Sequence, residues 1–177
     1  MTDIAAPTGL RDRLIAKVTE KDPEHDSLRR ALRAALILPL AALAGLAVGG
    51  GSQVTMFAIF GSVALLIVAD FPGNRPARAV AYCGLGINGA VLITLGTMVS
   101  TIPAAAVLAM FVVGVVVTFS GVLSEIVAAG QRATLMTFVL PVCTPPGPIS
   151  DRLLGWAIAL VFAVPAALWL FPPTHHD

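Results

Sequence analysis

Apolar and polar positions fall into long blocks along this chain instead of alternating. Residues 79–123 contain no Asp, Glu, Lys or Arg, and the run is broken near its middle by Ser100, Thr101 and Pro103. A bilayer-crossing helix needs about 20 apolar residues, so the run predicts two such helices joined by a tight turn. Marking the remaining blocks between charges gives six apolar segments: Ala31 to Val48, Val54 to Ala69, Ala79 to Met98, Ile102 to Leu123, Ala133 to Cys143 and Leu153 to Phe171. The fifth offers only roughly 16 Å of clean helix against a hydrocarbon core of about 30 Å. To cross, it must begin near Ser124 and carry Glu125, Gln131 and Arg132 with it. Trp156 and Trp169 stand near the two ends of the sixth, where amphipathic rings prefer the interface.

The pattern predicts an all-α membrane protein, a six-transmembrane-helix bundle with a short amphipathic N-terminal helix. Three parts follow: a cytoplasmic leader (1–30), the bundle (31–171) and a cytoplasmic tail (172–177). Composition agrees, with 57% hydrophobic residues, 12% charged, 16 Gly and a mean hydropathy of +0.90. Such a composition excludes a soluble enzyme or a nucleic-acid-binding module.

Charge placement gives the orientation. Of the eleven basic residues, seven lie at or before Arg33. With the N-terminus in the cytoplasm, Arg75, Arg78 and Arg132 also fall inside, and Arg152 alone breaks the positive-inside rule. In the leader, Leu10, Leu14, Ile15 and Val18 share one helical face and Arg11, Arg13, Lys17 and Lys21 surround it. This reads as a helix lying on an anionic leaflet; a solvated leader is the alternative. Pro23 interrupts it, and Asp26 can cap the helix that follows.

Several patterns carry no chemistry. Gly84-Leu85-Gly86-Ile87-Asn88-Gly89 matches a dinucleotide fingerprint, but that motif works only between a strand and a helix. Its glycines, and the Gly45/Gly49 pair, are read as sites of close helix approach. Cys83 and Cys143 are expected towards opposite sides of the membrane. His25, His175 and His176 flank the bundle, so neither metal nor cofactor is expected, and no grouping argues for catalysis. Residues 70–76 (Asp70-Phe71-Pro72-Gly73-Asn74-Arg75-Pro76) form a rigid corner in which Asp70 can receive Arg75 or Arg78. The stretch Pro141 to Ser150 is a stiff outer loop, or part of it dips back to line a pathway.

Polar residues at membrane depth are the candidate site. Glu125 and Arg132 are seven apart on nearly one helical stripe, too far for a direct pair, with Gln131 beside Arg132. On a functional reading Arg132 attracts an anion and Glu125 carries a proton; on the other, both sit in the headgroup layer. Asn88, in the middle of the third segment, serves as an interhelical hydrogen bond or a ligand contact.

The order Phe57-Ala58-Ile59-Phe60-Gly61-Ser62-Val63-Ala64-Leu65-Leu66, then Ala69-Asp70-Phe71, Arg75, Arg78 and Tyr82, resembles the N-terminal membrane half of the fusaric acid resistance and aromatic acid exporter (FUSC) family. The similarity extends through Leu92 to Ser100 and more loosely from Asp26 to Phe171. It implies a bacterial inner-membrane protein that exports aromatic or other amphipathic acids, driven by the proton gradient. A passive anion channel and a non-transporting scaffold subunit remain as alternatives. Family members commonly continue into a cytoplasmic domain and a second membrane half, whereas this sequence stops at Asp177, so pairing with a second half or a homodimer is expected. The related plant malate channels, working as dimers with basic residues on their fifth helix, draw attention to Arg132.

Overall fold

Helix boundaries follow the capping chemistry of the sequence. The computed structural model describes residues 26–170, and among them every regular element is helical. The elements are α1 (Asp26–Ala47), α2 (Gly51–Val63, continued by a π-helical turn Ala64–Val68), α3 (Arg75–Val99), α4 (Pro103–Ser120), α5 (Glu125–Cys143) and α6 (Ile149–Trp169). All six are long and apolar enough to cross a membrane, which makes this a multi-pass membrane protein. Gly49 and Gly51 take positive φ (71° and 67°) and so turn α1 into α2 within a few residues. Asn74 caps α3 by accepting the Ala77 N–H at 3.1 Å, and Ser124 caps α5 by accepting the Val127 N–H at 3.2 Å.

The fifth segment is therefore a full-length helix that starts just after Ser124 and carries Glu125, Gln131 and Arg132. Its other end departs from expectation. Pro141 belongs to α5 instead of an outer loop, and the connection shrinks to residues 144–148. The leader helix, the histidines and residues 171–177 lie outside the described residues.

The sixth helix is central, packing on α1, α2 and α3; α3 also packs on α5, and α5 meets α2 at its π turn. Small residues set these approaches. A Cβ on Gly155 would lie 2.4 Å from the Val54 carbonyl, and one on Gly61 would lie 2.7 Å from the Ala159 Cβ, so α2 and α6 touch nearly backbone to backbone. On α3, Gly86 and Gly89 admit Leu160 and Trp156, whereas Gly84 faces open space. Gly45 packs on Thr55, while Gly49 serves the turn and packs on nothing.

The outlying helix is α4, buried only at Ala106 and Val117. Gln131 tethers it, its Nε2 donating to the carbonyls of Val117 (2.8 Å) and Thr118 (2.9 Å).

Candidate functional site

Pro145 has no N–H, so the helical acceptor four residues earlier, the carbonyl of Pro141, is left without its normal donor. Arg152, in the first turn of α6, fills the vacancy. Its Nη1 donates to the Pro141 carbonyl at 3.0 Å and to Thr97 Oγ1 at 2.9 Å, and its Nη2 donates to the Pro145 carbonyl at 2.8 Å. Thr97 in turn donates to the Ile93 carbonyl at 2.7 Å, which fixes its lone pairs towards Arg152. Gln53 Nε2 adds a second donor to Pro145 at 3.1 Å. The guanidinium stands 5.3 Å above the centre of the Phe57 ring, within cation–π range. Arg152 is 0% exposed, its Nε has no partner, and every acceptor around it is neutral.

Phe57 also walls a cavity. About 150 Å³ of space lies between α2, α3, α5 and α6, bounded by Phe57, Phe60, Ile93, Thr137, Leu140 and Trp156. An apolar cavity of about that size holds one benzene ring. The Trp156 indole is held in place by donating to the Gly86 carbonyl at 2.9 Å, and it is buried among the helices. Phe60, Met136 and Cys143 are exposed and form the mouth, which opens sideways between α2 and α5 beyond the π turn. Chemically the arrangement offers an apolar slot, one of whose walls, Phe57, also carries the buried Arg152 guanidinium. Among the described residues no group of His, Cys, Asp and Glu is placed to hold a metal.

At the opposite end of α6 a second set of buried arginines appears. Arg33 of α1 and Arg78 of α3 both donate to one carbonyl, Ala167, at 3.3 and 3.0 Å. Tyr82, one turn beyond Arg78, packs edge-on to Phe71 with ring centres 4.9 Å apart. Asp70 pairs with Arg30 of α1, not with Arg75 or Arg78 as the local sequence suggested.

The four residues singled out from sequence are not brought together. Glu125 and Arg132 are both exposed, at the start of α5 and two turns along it; Gln131 holds α4; Asn88 is exposed on α3. None of them lines the cavity, whose share of α5 begins at Met136, one turn beyond Arg132. The residue that sequence reasoning passed over is Arg152. Its signal was present: on the orientation expected from the charges it is the one basic residue against the positive-inside rule, and it follows a loop whose prolines cannot donate.

Cys83, in the third turn of α3, and Cys143, ending α5, lie towards opposite ends of the bundle, both free. The chain matches no known family model, no curated protein and no solved structure.

Proposed function

We propose that the protein is a transporter, or one half of one, that exports aromatic or other amphipathic organic acids across a bacterial inner membrane, with its N-terminus in the cytoplasm. One observation carries the reading: a ring-sized apolar cavity shares Phe57 with a fully buried arginine whose acceptors are all neutral. An amphipathic acid needs a dry slot for its ring and a cation for its carboxylate. A carboxylate forms charge-assisted bonds roughly twice as strong as those to carbonyls, so it can displace Pro141 or Pro145 from Arg152. Arg132 and Glu125, with Gln131 between α4 and α5, stand at the other end of α5, where Arg132 gathers anions ahead of the cavity mouth. A second copy or a second membrane half completes the path, and the direction of transport is taken from the FUSC resemblance.

One observation favours a passive path over proton coupling. The acidic residues whose side chains are described, Asp70, Glu125 and Asp151, all stand at helix ends or corners, and Glu125 is exposed. A proton carrier needs a carboxyl group in a desolvated place.

The test is flux of a labelled hydroxybenzoate into proteoliposomes at alkaline pH, where hardly any of it is neutral. Flux above protein-free vesicles, reduced at least tenfold by Phe57→Ala or Trp156→Ala, is expected. Gradient-driven accumulation that survives Glu125→Gln removes Glu125 from coupling. No flux of any aromatic acid from a correctly folded protein overturns transport and leaves the scaffold reading.

A further inference from the structure

Arg78 stands one helical turn beyond Tyr82, which ends a groove on α3, and Arg33 meets Arg78 at the Ala167 carbonyl. Between α3 and α6, about 690 Å³ of open space is lined by Tyr82, Gly86 and Ala90 on one side and Trp156, Leu160 and Val164 on the other, almost entirely apolar. Tyr82, Gly86 and Ala90 step by four along one stripe of α3, and the same stripe begins with Arg78. On α6 the next turn beyond Val164 carries Ala167, the acceptor that Arg78 and Arg33 share. From Arg78 to Ala90 the stripe rises about 18 Å at 1.5 Å per residue, close to the depth of one leaflet of a hydrocarbon core of about 30 Å.

The arginines themselves lack a full set of acceptors, even with the Tyr82 hydroxyl beside Arg78. Arg33 is 9% exposed and Arg78 5%, and the Nε of each is buried with no partner. Both guanidinium groups reach the same oxygen, so two like charges sit within the span of two hydrogen bonds. The neighbouring carboxylate, Asp70, is engaged by Arg30. Two guanidinium groups in this arrangement call for an anion with several oxygens, and a phosphate accepts from both at once. Arg78 lies in the first turn of α3 and Ala167 in the last turn of α6, and the ends of helices just long enough to span a hydrocarbon core meet the headgroups.

We infer that this is a binding site for an anionic phospholipid, with the phosphate at Arg33 and Arg78 and one acyl chain along the α3–α6 groove. A choline headgroup would bring its own cation towards two arginines, so the site favours phosphatidylglycerol over phosphatidylcholine. The inference stands apart from transport and is tested without it.

The groove supplies its own reporter. The chain has two tryptophans, and Trp169→Phe leaves Trp156, in the groove wall, as the sole tryptophan, excited apart from Tyr82 at the red edge of its absorption. This variant is reconstituted into phosphatidylcholine vesicles containing a small, equal fraction of lipid with brominated chains, either phosphatidylglycerol or phosphatidylcholine. Brominated phosphatidylglycerol should quench at least threefold more strongly. In the Arg33→Gln/Arg78→Gln background the preference should vanish while the background quenching and the helical circular dichroism persist. Should that variant fail to fold, Arg78→Gln alone should at least halve the preference. Equal quenching by the two lipids overturns the inference, because the acceptors then come from elsewhere in the chain. Preference that survives the double substitution overturns it too, as does preference abolished by soluble inorganic phosphate, which would make the ligand a free anion.

Discussion

At one end of α6, Arg152 spreads its guanidinium over three acceptors and an aromatic face, whereas at the other end Arg33 and Arg78 share a single carbonyl. All three are buried, and burying an unpaired charge costs several kcal/mol. The difference is in how much of that cost the surroundings return. Arg152 replaces donors that prolines cannot supply, so until a carboxylate displaces those carbonyls it braces the 144–148 connection. The pair offers more donors than the described protein accepts. Burial alone does not separate a cation that the protein already satisfies from one with donors to spare; the balance of donors and acceptors does.

The comparison breaks most readily at Arg152. Arg152→Gln removes three charge-assisted hydrogen bonds, each worth about 1.5–3 kcal/mol, while relieving part of the desolvation of a charge. A net loss of about 2–4 kcal/mol is expected from reversible unfolding in bicelles. Arg33→Gln or Arg78→Gln singly should cost under ~1 kcal/mol, because the remaining arginine still covers Ala167. Equal losses at the two ends would mean that the pair is as well satisfied as Arg152.

A step smaller, Gly155→Ala attacks the support of the Arg152 end without touching a charge. The new Cβ would sit 2.4 Å from the Val54 carbonyl and 2.7 Å from the Phe57 Cβ. Backbone must move, at about 1–3 kcal/mol, and Phe57 moves with it, which should also change Trp156 emission across the cavity. Gly84→Ala, with nothing within 4 Å, should be neutral or stabilising by up to ~1 kcal/mol through helix propensity.

The arginine pair yields a coupling instead of a loss. Either single substitution leaves one donor on Ala167 and relieves the repulsion between two like charges, whereas the double leaves the carbonyl bare. The double-mutant cycle should therefore be non-additive by about 1 kcal/mol, the double costing more than the sum of the singles. Additivity would show that the two arginines do not feel each other.

The architecture was legible because block hydropathy and helix length have one solution in a bilayer. Six helices, the start of α5 after Ser124, and the close approach at Gly86 and Gly89 all follow from local patterns. The site was not legible in the same way. Sequence reasoning weighed polar residues by how apolar their neighbours in the chain are, which favoured Glu125, Arg132 and Asn88. Burial in a bundle depends on which face meets another helix, and those three face outwards. Arg152 and Arg78 sit near charges and prolines in the sequence, so they look like loop residues until the packing of α3 against α6 buries both. The rotation of each helix is set by tertiary packing through glycines such as Gly61 and Gly155, and no single segment encodes it.

Asn88 gives the smallest effect and the sharpest contrast with the arginines, since it is a polar side chain that this bundle leaves uncovered on α3. A lipid-facing amide gains nothing from its surroundings, so Asn88→Leu should change stability by no more than ~0.5 kcal/mol, in the stabilising direction if at all. The measurement is again unfolding in bicelles, joined to cross-linking through a cysteine placed at the neighbouring exposed Val91. A loss of ~1 kcal/mol or more, with cross-linking reduced, would place Asn88 against a second copy of the chain. The rule drawn from the arginines would then apply to it as well, because its acceptors and donors would be met across an interface that one chain alone does not contain.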